Sequence, residues 1–177
     1  MTLTNTKHTV CRSCEGVLND EVLLDLGNQR INDFPEAGVD LSTLPRCPIE
    51  IVWCPRCRLA QQRYTAPAEL LYRRHYWYRS GTTQTMRDAL EDVARAAELM
   101  VDLQPSDIVL DIGSNDGTLL RSYSKPCVKV GVDPASNIQE EGSRGVDVFI
   151  SDFWSEGVYR NAIQSFGRDQ EENIEGP

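Results

Sequence analysis

The apolar pattern is clearest in the second half of the chain. Ile108, Val109 and Leu110 run into Asp111-Ile112, and a polar turn, Gly113-Ser114-Asn115-Asp116-Gly117, opens onto Thr118-Leu119-Leu120-Arg121. This order predicts a buried strand, a tight loop and a helix start, the entry to a nucleotide-type site in an open α/β sheet. A second apolar run, 128–132, closes on Asp133-Pro134, and a third strand is expected over 145–150 after a short helix through Ile138 and Glu141. Upstream, Met86, Leu90, Val93, Ala97, Met100 and Val101 recur at helical spacing. They predict a helix over 86–103 that turns this face to the core and stops before Pro105. In the first half, 22–29 and 44–53 read as strands and 32–38 as a loop. Thr65 and Pro67 mark a helix start for 69–75. Beyond Asp152 the pattern fades, and 161–177 is expected to be a disordered tail.

The turn at 113–117 narrows the ligand. Glycine at 113 lets backbone approach a bound group, and glycine at 117 can take a positive φ as the helix begins. A dinucleotide fingerprint would have a glycine where Asn115 stands, and the carboxylate of Asp116 is unfavourable beside a diphosphate. An adenosine ribose without phosphate fits better, which points to S-adenosylmethionine. Asp133, at the end of the second strand, is placed to accept from the ribose hydroxyls. The plainer alternative is a strand–turn–helix corner with no ligand.

Charge is divided unevenly. The 177 residues carry a net −9, of which residues 1–80 contribute +1 and residues 81–177 contribute −10. The acidic second half disfavours nonspecific nucleic-acid binding. No apolar run approaches membrane-spanning length, and the polar start of the chain has no signal-like core, so a cytoplasmic protein without a membrane anchor is expected.

Cysteine spacing supplies the second strong signal. Cys11-Arg12-Ser13-Cys14 and Cys54-Pro55-Arg56-Cys57 are two C-x-x-C knuckles, and four thiolates from two knuckles form a closed tetrahedral cage of structural zinc type. Two separate redox motifs are the rival, but neither pair lies at a strand–helix junction. Cys47 and Cys127 read as small buried thiols. A module of this size buries little core, so the metal is expected to supply its folding energy.

Between the knuckles and the helix lies a basic, aromatic stretch, with Arg56, Arg58, Arg63, Arg73, Arg74 and Arg79 interleaved with Tyr64, Tyr72, Tyr76, Trp77 and Tyr78. Guanidinium forks bind phosphate and aromatic rings stack on bases, so a nucleotide-bearing substrate is one reading. An amphipathic surface segment with snorkelling arginines is the other. His75 alone reads as structural.

Taken together, the paired knuckles, 76–87 (YWYRSGTTQTMR), 110–117 (LDIGSNDG) and 131–134 (GVDP) resemble the nucleotide-sugar C-methyltransferase family over about residues 11–153. The resemblance implies a zinc-binding module followed by the first three strands of a Rossmann-like class I methyltransferase sheet. It implies zinc on Cys11, Cys14, Cys54 and Cys57. It also implies S-adenosylmethionine against Asp111, Gly113, Asn115 and Gly117, with its ribose on Asp133. Tyr76 and Tyr78 match the aromatic segment facing the sugar, with Ser80 and Thr85 nearby. The implied reaction removes a proton beside a 4-keto group and passes a methyl group to the resulting carbanion.

The expected organisation is a zinc domain over 1–66, a helical connector over 67–104, a partial cofactor domain over 105–160 and the tail. The family sheet has order 3-2-1-4-5-7-6, and its later strands, its histidine-bearing segment and its C-terminal domain have no counterpart here. The expectation is therefore an N-terminal portion without turnover of its own. A zinc-ribbon RNA methyltransferase and a non-enzymatic zinc module with a degenerate Rossmann half are the alternatives.

Overall fold

The computed structural model describes residues 4–31, 35, 37–73 and 76–174, with side chains through 168. Most of the loop expected over 32–38 lies outside the described residues, as do Arg74, His75 and the last three positions. The chain forms two compact units, Met1–Arg73 and Arg74–Pro177. No helix among the described residues is long and apolar enough to cross a membrane.

The first unit is built from short antiparallel strands. These are β1 (Thr6–Lys7), β2 (Val22–Arg30), β3 (Arg46–Trp53), β4 (Ala60–Gln62) and β5 (Tyr64–Thr65). β2, β3 and β4 form one sheet in that order, while β1 pairs with β5. The two longer strands fall where the alternating pattern predicts them. Both faces of β2 are exposed along its whole length, so the strand contributes no buried side chain. Among the described residues the unit's core cluster is Cys11, Leu18, Val52 and Cys54 with Cys14 against it. Arg63, 5% exposed, is held by Glu50 at 3.1 Å, by Asp20 at 3.5 Å and by the Asn19 carbonyl, because a buried guanidinium must be paired. Where a helix was expected over 69–75, the unit has a π-helical turn, Glu69–Arg73, with an ion pair between Arg73 and Glu69.

The second unit is a parallel sheet with helices. α1 (Gln84–Met100) precedes β6 (Ile108–Ile112), α2 (Thr118–Arg121), β7 (Val128–Val132), α3 (Gln139–Gly142), β8 (Val148–Ile150) and α4 (Glu156–Ile174). The strand order is β6-β7-β8, all parallel, with Ile108 opposite Val128 and Val132 opposite Ile150. Sequential parallel neighbours require crossovers over one face, here through α2 and α3. The core, Val130, Val132 and Ile150, packs with Leu110 and Val148 against Val158, Tyr159, Ala162 and Ile163 of α4.

Two expectations need correction. The segment from 161 onward, expected as a disordered tail, continues α4 through Ile174. The four apolar residues of α4 that pack on this core fall at i, i+1, i+4 and i+5, a stripe wide enough to cover the sheet although polar residues outnumber them. The core-facing stripe assigned to α1 is mostly solvent-facing: Val93 is 53%, Met100 85% and Val101 54% exposed, and the fully buried position is Ala94. The helix itself is real, with the Thr83 hydroxyl capping Met86 N–H, an arrangement that satisfies one of the orphan donors of its first turn.

Candidate metal centre and ligand-binding turn

In the first unit each C-x-x-C folds as the same tight turn. Glu15 N–H donates to the Cys11 carbonyl and Cys11 N–H to the Gly16 carbonyl. In the second knuckle Arg58 N–H donates to the Cys54 carbonyl and Cys54 N–H to the Leu59 carbonyl. The residue after each second cysteine, Glu15 at φ 59° and Arg58 at φ 63°, takes the left-handed conformation that this turn demands. A side chain there costs about 1–2 kcal/mol relative to glycine. Arg58→Gly is therefore expected to stabilise the first unit by up to about 1 kcal/mol after glycine's larger unfolded-state entropy is offset. Thermal unfolding of the zinc-loaded chain measures this, and an unchanged or lower Tm counts against it.

The two turns bring four sulfurs together. Cys11 Sγ lies 3.6 Å from Cys57 Sγ and Cys14 Sγ 3.5 Å from Cys54 Sγ, and all four lie within 4.8 Å of one another. Tetrahedral zinc with Zn–S near 2.3 Å separates its sulfurs by about 3.8 Å. All six cysteines are free thiols, so the cage is not a pair of disulfides. The electrostatics suit a metal. Cys54 is pulled down to about 6, chiefly by the Cys57 backbone N–H. Cys11 is lowered by the backbone N–H groups of Cys14 and Ser13. The Leu59 N–H pulls Cys57 down, but Cys14, burial and the other two sulfurs together push it up to about 12. Four thiolates cannot ionise side by side without a cation, and a divalent metal is the group that lets them. Cys47 and Cys127 stand outside the cage, both raised by burial.

In the second unit the turn after β6 is shaped by three residues at positive φ: Gly113 at 81°, Asn115 at 51° and Gly117 at 74°. A Cβ on Gly113 would meet nothing within 4 Å, so its backbone is open to a ligand, whereas a Cβ on Gly117 would stand 2.7 Å from the Gly142 carbonyl. Gly117 is thus a packing glycine and Gly113 an approachable one. Asp133, 5% exposed, accepts from Asn115 N–H at 2.9 Å and from Ala135 N–H at 2.9 Å. Its carboxylate fixes the turn, with half of its lone-pair positions used by backbone.

Asp111 is half-buried, and its carboxyl is pushed above the usual carboxylate range first by burial and then by Asp133. Its side chain makes no hydrogen bond or ion pair among the described residues. Because the folded state binds its proton more tightly, Asp111 opposes folding above that raised pKa, and the penalty is relieved as pH falls through it. Asp111→Asn is expected to raise stability at neutral pH, with the gain shrinking on acidification. Urea midpoints across pH test this, and a pH-independent difference would contradict it.

A strap over 76–82 closes onto this turn, and no local pattern announced it. The Asn115 side chain accepts from Ser80 N–H at 2.9 Å and donates to the Tyr78 carbonyl at 3.1 Å. Asp116 accepts from Gly81 N–H at 2.7 Å while also capping Thr118. Asn137 exchanges two bonds with the Tyr76 backbone, and Arg79 pairs with Glu141 at 2.7 Å. The structure therefore ties Tyr78 to the turn through Asn115 and Tyr76 to Asn137 beyond β7, both through their main chain. It spends the Asn115 amide on the strap rather than leaving it to face a ligand. Polar side chains at the middle of the turn, where glycine was the alternative, are what the strap binds.

Residues 11–72 match the family model Methyltransf_13, described as "Putative zinc binding domain". The match spans both knuckles and all of the strands between them. Together with the sulfur cage it supports zinc binding by a methyltransferase-associated module. No curated protein matches the chain at a significant level.

Proposed function

We propose that this chain serves S-adenosylmethionine-dependent methyl transfer to carbon of a nucleotide-linked keto-deoxysugar, with the zinc module as a structural domain and the second unit as the cofactor domain. The observation that carries the proposal is the open backbone of Gly113 at the carboxyl end of a parallel strand, next to the end of β7. Ligands of open α/β sheets bind in that crevice. The sulfonium cofactor, when bound, supplies an electrophilic methyl group. Asp111, half-buried and without a donor of its own, offers an acceptor for an ammonium or hydroxyl group of the ligand. Asp133 holds the turn and keeps lone pairs for the ribose. In this reading the strap carries Tyr76 and Tyr78 to the acceptor side, and its backbone bonds to Asn115 and Asn137 fix their position, as alignment of two reactants requires. None of the described residues is assigned as the base that takes the acceptor's proton.

Calorimetric titration of the zinc-loaded chain with S-adenosylhomocysteine tests the proposal. One-to-one binding is expected, and Gly113→Val, which fills the open face and strains a positive φ, is expected to abolish it. A second reading rests on the strap. Since Asn115, Asp116 and part of Asp133 are already satisfied internally, the turn could be a self-closed corner in a non-enzymatic zinc protein. The absence of heat with a folded, zinc-loaded chain would decide for that reading.

A further inference from the structure

The apolar stripe of α1 is broader than the surface the helix covers. Its buried and half-buried side runs through Leu90, Ala94 and Ala97, and the helix packs on α2. Beside that side lies a second row, Met86, Ala89, Val93, Ala96 and Met100, in which every residue is exposed, Val93 by 53% and Met100 by 85%. The spacing of this row alternates between three and four residues, which makes it a straight seam of coiled-coil type along the length of the helix. A soluble protein does not leave such a seam open without a use for it.

The seam alternates large and small side chains, so an occupant that fits must set an alanine opposite each large residue. The same helix turned end for end does this. With Ala96 of one copy against Val93 of the other, Ala89 falls against Met100, and the two-fold axis repeats both contacts in reverse. Side-by-side parallel copies would instead put methionine on methionine and alanine on alanine, leaving a gap at every second layer.

Charge on the flank agrees with the antiparallel arrangement. Asp92 and Arg95 are exposed, paired at 2.6 Å, and border the seam close to where the axis falls. Turning one copy end for end brings its Arg95 nearly level with Asp92 of the other. Two separate ion pairs thus become four charges of alternating sign.

We propose that the exposed seam of α1 docks a second copy of this chain, as an antiparallel two-fold helix pair. The proposal goes beyond the methyl-transfer reading and does not depend on it. A lone helix pair buries less than the roughly 800 Å² per partner of a standard interface, and each copy carries a net −9, so the pair is a reversible, micromolar dimer.

Sedimentation equilibrium of the full zinc-loaded chain, from low micromolar to submillimolar concentration, tests this. The mass is expected to rise reversibly from 19.9 kDa towards twice that value and to stop there. Val93→Glu and Ala96→Glu place a carboxylate in the seam and are each expected to weaken association about tenfold or more, whereas Arg160→Gln, exposed on α4, leaves it unchanged. Both seam positions face solvent in the single chain, so helical signal and Tm should hold; if one variant fails to fold, the other decides. Arg95→Asp is expected to weaken the dimer, and adding Asp92→Arg to restore it. A mass that stays at one chain throughout would overturn the proposal. So would growth beyond two copies, association indifferent to both seam substitutions, or a double variant as weak as Arg95→Asp alone.

Discussion

Cys54→Ser is expected to abolish zinc retention and unfold the first unit. Cys54 is fully buried, and the core cluster around it consists of Leu18, Val52, Cys11 and Cys14. Burial of a few such side chains is worth about 1.5–3 kcal/mol each, whereas a structural zinc contributes about 10–16 kcal/mol. The strands cannot make up the difference, since every residue of β2 is exposed. Metal content by mass spectrometry should fall from one zinc per chain to near zero, and amide hydrogen exchange should lose protection across β2 to β4. A strong chelator should do the same to the unaltered chain. Stoichiometric zinc in the variant, or a protected first unit after chelation, would show that the cage is not what holds these strands.

Asp133→Ala is expected to cost the second unit about 3 kcal/mol and to disorganise the turn after β6. The buried carboxylate takes two backbone N–H bonds, one from Asn115 within the turn and one from Ala135 beyond β7. Hydrogen bonds to a charged acceptor contribute about 1.5–3 kcal/mol each, and removing the acceptor leaves both donors buried and unpaired. Asp133→Asn should be little better, because its amide turns a donor toward one of these N–H groups. Hydrogen exchange at the β7 amides reads the loss. Protection unchanged within about 0.5 kcal/mol would mean that solvent replaces the carboxylate without penalty.

The parts of this protein legible from sequence are those set by local spacing. Two C-x-x-C pairs specify a sulfur cage whatever folds between them, and the runs at 108–112 and 128–132 mark two strands. The burial expected of the first was not legible: Ile108 and Ile112 are 43% and 53% exposed, and only the second strand has buried residues. The facing of α1 was not legible, because periodicity gives a stripe but not the surface that covers it. Met86 and Val93 lie on the apolar stripe and remain exposed, while the small Ala94 is the residue packed to zero exposure. In α4 the stripe was present but diluted, with Val158, Tyr159, Ala162 and Ile163 scattered among charges. The strap was invisible for a different reason. Its bonds link residues 35 to 61 positions apart, and side-chain-to-backbone pairing at that range leaves no periodic trace. The left-handed residues of the knuckles were hidden because the sequence supplies glutamate and arginine where glycine would have marked the turn.

Whether the backbone after β6 is a ligand site decides between a cofactor-binding unit and a self-closed corner. The most direct measurement is the amide chemical-shift response of the isotope-labelled, zinc-loaded chain to S-adenosylhomocysteine. The prediction is that the largest shifts fall at residues 112–117 and 132–135, with smaller ones along the strap at 76–82. Shifts confined to the first unit, or none at saturating ligand, would contradict it.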